Sequence, residues 1–168
     1  MAKISEIYLA GGCFWGLEAF MQKLNGVIDA QSGYANGNTL NPSYQEVCQG
    51  SGHAEVVKVT YQPEQLPLAK LLHFFFQVID PVSVNQQGED KGIQYRTGIY
   101  YVDPADIATI KQSLTQLQQK IDQPIALEMQ PLEHYFPAEE YHQDYLDKNP
   151  NGYCHIDLQL MREIWASQ

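Results

Sequence analysis

Positive charge is scarce in this chain: its 168 residues carry 10 Lys and Arg against 20 Asp and Glu, a net charge of −10 with His neutral. A field of that sign repels phosphate backbones and anionic bilayer surfaces, so neither nucleic acid nor a membrane is an expected partner. Long apolar runs are missing as well. The greasiest stretch, Leu71 to Ile79, is interrupted by His73 and Gln77, and nothing approaches the roughly 20 apolar residues of a membrane span. The first residues, MAKISEIYLAGG, hold too short an apolar run for a secretory signal, so a cytoplasmic location is expected. Cysteine is sparse, with only Cys13, Cys48 and Cys154. An odd number makes a poor disulfide framework, and a chain of this length needs no covalent staples. Each thiol is therefore to be judged as catalytic, redox-linked or simply buried.

What is present suits a folded globule. Hydrophobic residues make up 44% and charged residues 18%, an ordinary balance, and the length fits one domain over 1–168. A small acidic chain of this kind is expected to be a monomer. Strands are expected over Ile4 to Leu9, Val27 to Tyr34, Ala54 to Tyr61 and Tyr95 to Val102, with a further candidate over Ile125 to Met129. Phe14, Leu17, Phe20, Met21 and Leu24 recur at helical spacing, with Gly26 as a stop. Leu68, Leu71, Leu72, Phe75 and Phe76 mark a second amphipathic helix. A third starts near Pro104 and carries Ile107, Ile110, Leu114 and Leu117, and a short one covers Ala138 to Leu146. Ala35 to His53 and Asp80 to Ile93 read as long loops of the kind that carry function. The expectation is an α+β two-layer sandwich. Its helices pack on one mixed or antiparallel sheet of about four strands with a ferredoxin-like core. An irregular C-terminal tail follows, over about 147–168.

Four segments carry chemistry. Cys13 sits where a strand turns into a helix, after Gly11 and Gly12. The free N–H groups and positive dipole end of a helix start favour a thiolate over a thiol of ordinary pKa about 8.5. From position alone an inert buried thiol is an equal reading. Phe14 lies on the apolar stripe and Trp15 off it. Glu55 enters a strand between apolar neighbours, where a carboxyl is pushed toward its protonated form and can donate to a developing oxyanion. Tyr44, in the loop before it, is a second hydroxyl donor, against the plain alternative of a core Tyr. Asp90, Gln94, Tyr95 and Arg96 stand at a loop-to-strand junction, where binding groups gather. Cys154 follows the turn-forming Asn149-Pro150-Asn151-Gly152 and can reach a distant sulfur. Cys48, next to Val47, is expected to be buried and structural. No second His or Cys stands at ligand spacing from His53, so no metal is expected.

Taken in order, GGCFWG, GHAEVV, D-x-G-x-QYR, AExYHQ-x-YL and GYC span nearly the whole chain. Together they resemble the signature segments of the peptide methionine sulfoxide reductase A family. Small departures fall at Ser51, Thr97 and Pro137, none of them at a catalytic position. The resemblance implies that Cys13 is the nucleophile and Glu55 the acid that protonates the sulfoxide oxygen. It implies that Tyr44 and Tyr95 bind that oxygen, that Phe14 and Trp15 wall the substrate methyl group, and that Asp90 positions substrate. It also implies that Cys154 is the resolving cysteine, closing a Cys13–Cys154 disulfide. The implied substrate is methionine S-sulfoxide, free or in peptides and proteins. The implied reductant is thioredoxin, with no bound cofactor. Two other classes compete: a Cys–His hydrolase using His53 or His142 as base, and a redox sensor or methionine-binding module without turnover.

Overall fold

The computed structural model describes residues 3–37, 39–50, 52–154 and 156–168; Ser51 lies outside the described residues. Strand β1 (Ser5–Gly11) is apolar on both faces. Ile7 and Leu9 point one way, Tyr8 and Ala10 the other, and all four are buried, as a strand covered on both sides requires. Gly12 then takes φ 82, and helix α1 (Phe14–Gln22) begins after Cys13. Strand β2 (Val27–Ala35) returns, helix α2 (Tyr44–Cys48) follows, and β3 (Ala54–Tyr61) pairs antiparallel with both β1 and β2. Helix α3 (Leu68–Gln77) packs Leu71, Leu72 and Phe75 inward. A small hairpin, β4 (Gln86–Gln87) with β5 (Asp90–Lys91), precedes β6 (Thr97–Tyr101), which pairs antiparallel with β1. Helix α4 (Ile107–Gln119) leads to β7 (Glu128–Pro131), parallel to β6, and β8 (Tyr135–Pro137), antiparallel to β2. Two helices close the chain, α5 (Tyr145–Lys148) and α6 (Leu158–Ala166).

The main sheet therefore has six strands in the order β7-β6-β1-β3-β2-β8. Ile7, Leu9, Val57 and Val59 meet Phe14, Leu17, Phe20, Leu71, Phe75, Ile110, Met161 and Ile164 in one large core, so the longer helices share one face. On the other face Tyr8, Ala10, Val56 and Tyr100 form a smaller cluster, covered by Leu132 and Tyr135.

The α+β reading holds, and the finer expectations change. Six strands replace the expected four of a ferredoxin-like core: the candidate run Ile125 to Met129 becomes β7 only from Glu128 on, and β8 adds a three-residue strand at the other edge. Runs that short carry no period of their own. The expected loop Ala35 to His53 contains α2, closed by a capping box: Ser43 Oγ accepts the Glu46 N–H and Glu46 Oε1 accepts the Ser43 N–H. Tyr95 belongs to a 3-10 turn (Ile93–Tyr95) rather than to a strand. The expected helix over Ala138 to Leu146 is a 3-10 turn (Glu140–His142) and then α5, split at Asp144, which takes φ 53. The tail is irregular only in part, since it ends in a helix. In α6, Met161 and Ile164 are buried and the Trp165 indole N–H donates to the Phe20 carbonyl at 3.1 Å.

Candidate active site

Cys13 is the last residue before α1 and is only 5% exposed. Gly11 makes the approach possible: a Cβ there would lie 2.7 Å from Ile79. Gly12 reverses the chain in a left-handed conformation that other residues avoid. Burial pushes the Cys13 thiol well above its ordinary range, and charge on Glu55 pushes it further; the Trp15 backbone N–H pulls the other way. The resting group is thus a thiol. The helix start does not supply a thiolate by itself, because desolvation outweighs it.

Glu55 lies opposite, on β3, 1% exposed. Its Oε1 accepts the first N–H of α1, from Phe14, at 3.2 Å. Its Oε2 is buried and has no hydrogen-bond partner among the described residues. Burial raises this carboxyl to about 8, against the Phe14 N–H, and Asp90 adds to the rise. At neutral pH one oxygen accepts from the helix while the other carries a proton with nowhere to go. The charge on Glu55 is felt at Cys13, Tyr44 and Tyr95 alike. Burial pushes both tyrosines up, and a hydrogen bond from Tyr44 tempers the rise at Tyr95. The structure thus brings Cys13, Glu55, Tyr44 and Tyr95 together, from β1–α1, β3, α2 and the 3-10 turn before β6.

Asp90, on β5, acts electrostatically on Cys13, Glu55 and Tyr95, and its Oδ2 accepts the Tyr153 hydroxyl at 3.0 Å. This bond fastens the segment bearing Cys154 beside the hairpin. Cys154 is half-buried, its Sγ–H donates to the Ile156 carbonyl at 3.3 Å, and its charge would be felt at Cys13. Phe14 is fully buried, its ring 5.7 Å from Tyr34 and 6.4 Å from Tyr44 between centroids. Trp15 is half-buried and stacks on Tyr145 at 3.8 Å and 12°. Cys48 departs from expectation: it is exposed, at the end of α2, because that helix turns only Val47 inward.

Two participants, His142 and Glu139, lie in the AExYHQ segment and take roles that the resemblance did not assign. His142 is buried, and its Nδ1 accepts the Trp15 indole N–H at 3.0 Å. Burial holds its pKa below the ordinary range, so the ring is neutral with its proton on Nε2. Glu139 accepts from the Tyr34 hydroxyl at 2.8 Å and from the Tyr44 N–H at 3.0 Å, tying the start of α2 to the C-terminal segment. Neither candidate histidine serves as a base for Cys13. His142 is engaged with Trp15, and both ring nitrogens of His53 are occupied, Nδ1 by the Gly37 N–H and Nε2 by the Thr39 carbonyl. A surface cleft of about 200 Å³ between α3 and α4, lined in part by His73, Phe76 and Lys120, contains none of these groups. Among the described residues no group of three His, Cys, Asp or Glu side chains is placed to hold a metal ion. Among them, too, no helix is long and apolar enough to cross a membrane.

Residues 5–168 match the family described as peptide methionine sulfoxide reductase. Peptide methionine sulfoxide reductase MsrA of Lachnoclostridium phytofermentans is 58% identical over 151 residues, 89% of this chain and 91% of that protein. The chain belongs to the peptide methionine sulfoxide reductase A family. It is an oxidoreductase of that class. MsrA of Clostridium acetobutylicum is 50% identical over 161 residues, 95% of this chain and 99% of that protein. Among solved structures, Mxr1 of Saccharomyces cerevisiae in its reduced form superposes with a TM-score of 0.88 at 41% identity, covering 93% of this chain and 92% of that one. Mxr1 in complex with Trx2 gives 0.62 at 28% identity, with 85% of each chain covered. Three free cysteines accord with the likeness to the reduced form.

Proposed function

We propose that the protein reduces methionine S-sulfoxide, free or in proteins, through Cys13, Glu55, Tyr44, Tyr95 and Cys154. The unpartnered Oε2 of a carboxyl that stays neutral to about pH 8 carries this reading. A sulfoxide sulfur is a poor electrophile until its oxygen is protonated or strongly hydrogen-bonded. Glu55 supplies the proton, and the hydroxyls of Tyr44 and Tyr95 supply the further donors. Phe14 and Trp15 wall the methyl group, and Asp90 helps position the substrate. As the oxygen takes the Glu55 proton, positive charge grows on sulfur and draws the Cys13 thiol in, its proton passing to the departing oxygen. The buried thiol becomes a thiolate only when its target is present.

Atoms balance simply. The Cys13 sulfur bonds the sulfoxide sulfur and the S–O bond breaks, the oxygen leaving as water with one proton from Glu55 and one from Cys13. Water then attacks the Cys13 sulfur, the new S–S bond breaks to release the thioether, and the surplus proton returns to Glu55, so thiol and sulfoxide become sulfenic acid and thioether. The Cys154 thiol displaces water from the sulfenic acid to form a Cys13–Cys154 disulfide. An external dithiol reduces that bond by exchange. Similarity to a relative crystallised with Trx2 supports thioredoxin in this role. The cycle needs no bound cofactor. Three free thiols suit a cytoplasmic protein, and the reading takes the chain as one domain working as a monomer. Mass spectrometry after one equivalent of methionine S-sulfoxide tests the scheme. A Cys13–Cys154 bridge with Cys48 free is expected; a bridge to Cys48, or none, defeats it.

A further inference from the structure

Glu18 lies on α1, one turn beyond Trp15, and is 2% exposed. Among the described residues no Lys or Arg forms a salt bridge with it. A buried carboxyl without a cation costs stability unless its oxygens are well used, and here both are. Oε2 accepts the Ser32 N–H at 3.1 Å and the Ser32 hydroxyl at 3.0 Å, and Oε1 accepts the Asp144 N–H at 2.7 Å. Gln143 closes the same clasp: its Oε1 accepts the Ser32 N–H at 3.0 Å, and its amide donates to the carbonyls of Ser32 at 2.8 Å and Ala138 at 3.0 Å. One carboxyl thus joins α1, β2 and the C-terminal segment. The residues on either side of Gln143 and Asp144 are His142 and Tyr145, one bonded to the Trp15 indole and one stacked on it.

We infer that Glu18 is a positioning residue for the sulfoxide pocket: by fastening residues 142–145 to α1 and β2 it holds Trp15 in the place that admits a methyl group and excludes a larger one. This rests on the reading of Trp15 as part of the methyl wall. Three donors from two separate segments fix a direction that an apolar side chain of the same size cannot. Besides its packing against the core, the Trp15 ring is fixed by Tyr145 stacked on one face and, among the described residues, by a single hydrogen bond, to His142.

The test compares methionine S-sulfoxide with ethionine S-sulfoxide in a coupled thioredoxin assay, because one added methylene discriminates by about 10–200-fold in an apolar pocket. Trp15→Ala, Glu18→Leu and Glu18→Gln are measured, together with the double variant Trp15→Ala/Glu18→Leu. Trp15→Ala is expected to erode the methyl-over-ethyl preference. Glu18→Leu is expected to erode it at least about threefold, through KM more than kcat, and the double variant to go no further than Trp15→Ala alone. Glu18→Gln keeps an acceptor for Asp144 and a donor for the Ser32 hydroxyl, and is expected to keep the preference. Amide exchange in peptides spanning 138–148 should rise in Glu18→Leu and stay parental in Glu18→Gln. If Trp15→Ala loses the preference and Glu18→Leu keeps it, the inference fails while the site reading stands. If Trp15→Ala keeps it, the site reading itself fails. Should Glu18→Leu not fold, Gln143→Leu opens the same clasp from a partly exposed position, and an unchanged preference there overturns the inference.

Discussion

Cys13 and Glu55 share a corner in which burial raises both pKa values, so each group holds its proton in the absence of substrate. Under the proposed chemistry, ionising Glu55 removes the acid and also sets a negative charge beside the developing thiolate. The single-turnover rate of sulfoxide reduction is therefore expected to fall as pH rises through about 8. In Glu55→Gln that limb should vanish and the rate should drop by about 100-fold or more at pH 7, the usual contribution of a general acid. A parental rate in that variant removes Glu55 as the acid. Cys154→Ser should release one equivalent of methionine and then stall with thioredoxin; steady recycling would assign resolution elsewhere. The neutral carboxyl was legible in the sequence, since Ala54, Glu55 and Val56 read as a carboxyl threaded through a strand of apolar neighbours. The thiol's state was not. A helix start argues for thiolate, and only the depth of burial reverses the sign.

At the scale of elements, long periodic segments were legible and short ones were not. Residues of β3 fell where alternation put them, whereas β8 has three residues and α5 four. Helix α2 did have a sign, the Ser43-to-Glu46 spacing of a capping box, hidden in a segment rich in loop-forming residues. Helix α6 leaves a weak pattern because only two of its nine residues are buried. Those two nevertheless carry its docking: Ile164→Ala is expected to cost about 2–5 kcal/mol in urea denaturation. A cost near zero would mean that α6 adds little to the core. The junction of β1 and α1 makes a separate demand. Gly12 at φ 82 excludes a Cβ at low strain. Gly12→Ala should lower stability by roughly 1–2 kcal/mol and slow reduction by displacing Cys13; parental stability would contradict the left-handed turn.

For the molecule as a whole, Glu55 ties stability to pH. An unfolded chain releases this proton near 4.5 and the folded chain near 8. Between those values the unfolded state holds fewer protons, so this group favours folding less and less as pH rises. Glu55→Gln removes the dependence. Its Tm, relative to the parent, should climb between pH 4.5 and 8 by on the order of 10 °C and level off above. A difference that stays flat with pH would show an ordinary carboxyl. The layer arrangement was legible because helices and strands alternate along the chain. The site was less so, since its parts come from separate elements spread between Cys13 and Cys154, and proximity across such distances leaves no trace in local pattern. Motif resemblance bridged that gap for the reacting groups. It included Glu139 and His142 without giving them a role and did not reach Glu18; all three act through other side chains.

The Tyr153–Asp90 bond has one more consequence. It holds the residue next to Cys154 beside the hairpin, and under the proposed cycle such a tether gives the second thiol an effective concentration on the order of millimolar. A sulfenic acid formed on Cys13 would then meet Cys154 before a second molecule of oxidant. Under the proposed cycle, that hydroxyl link guards the enzyme against irreversible passage to the sulfinic acid, and Tyr153→Phe should leave a larger share of overoxidised Cys13 after peroxide exposure.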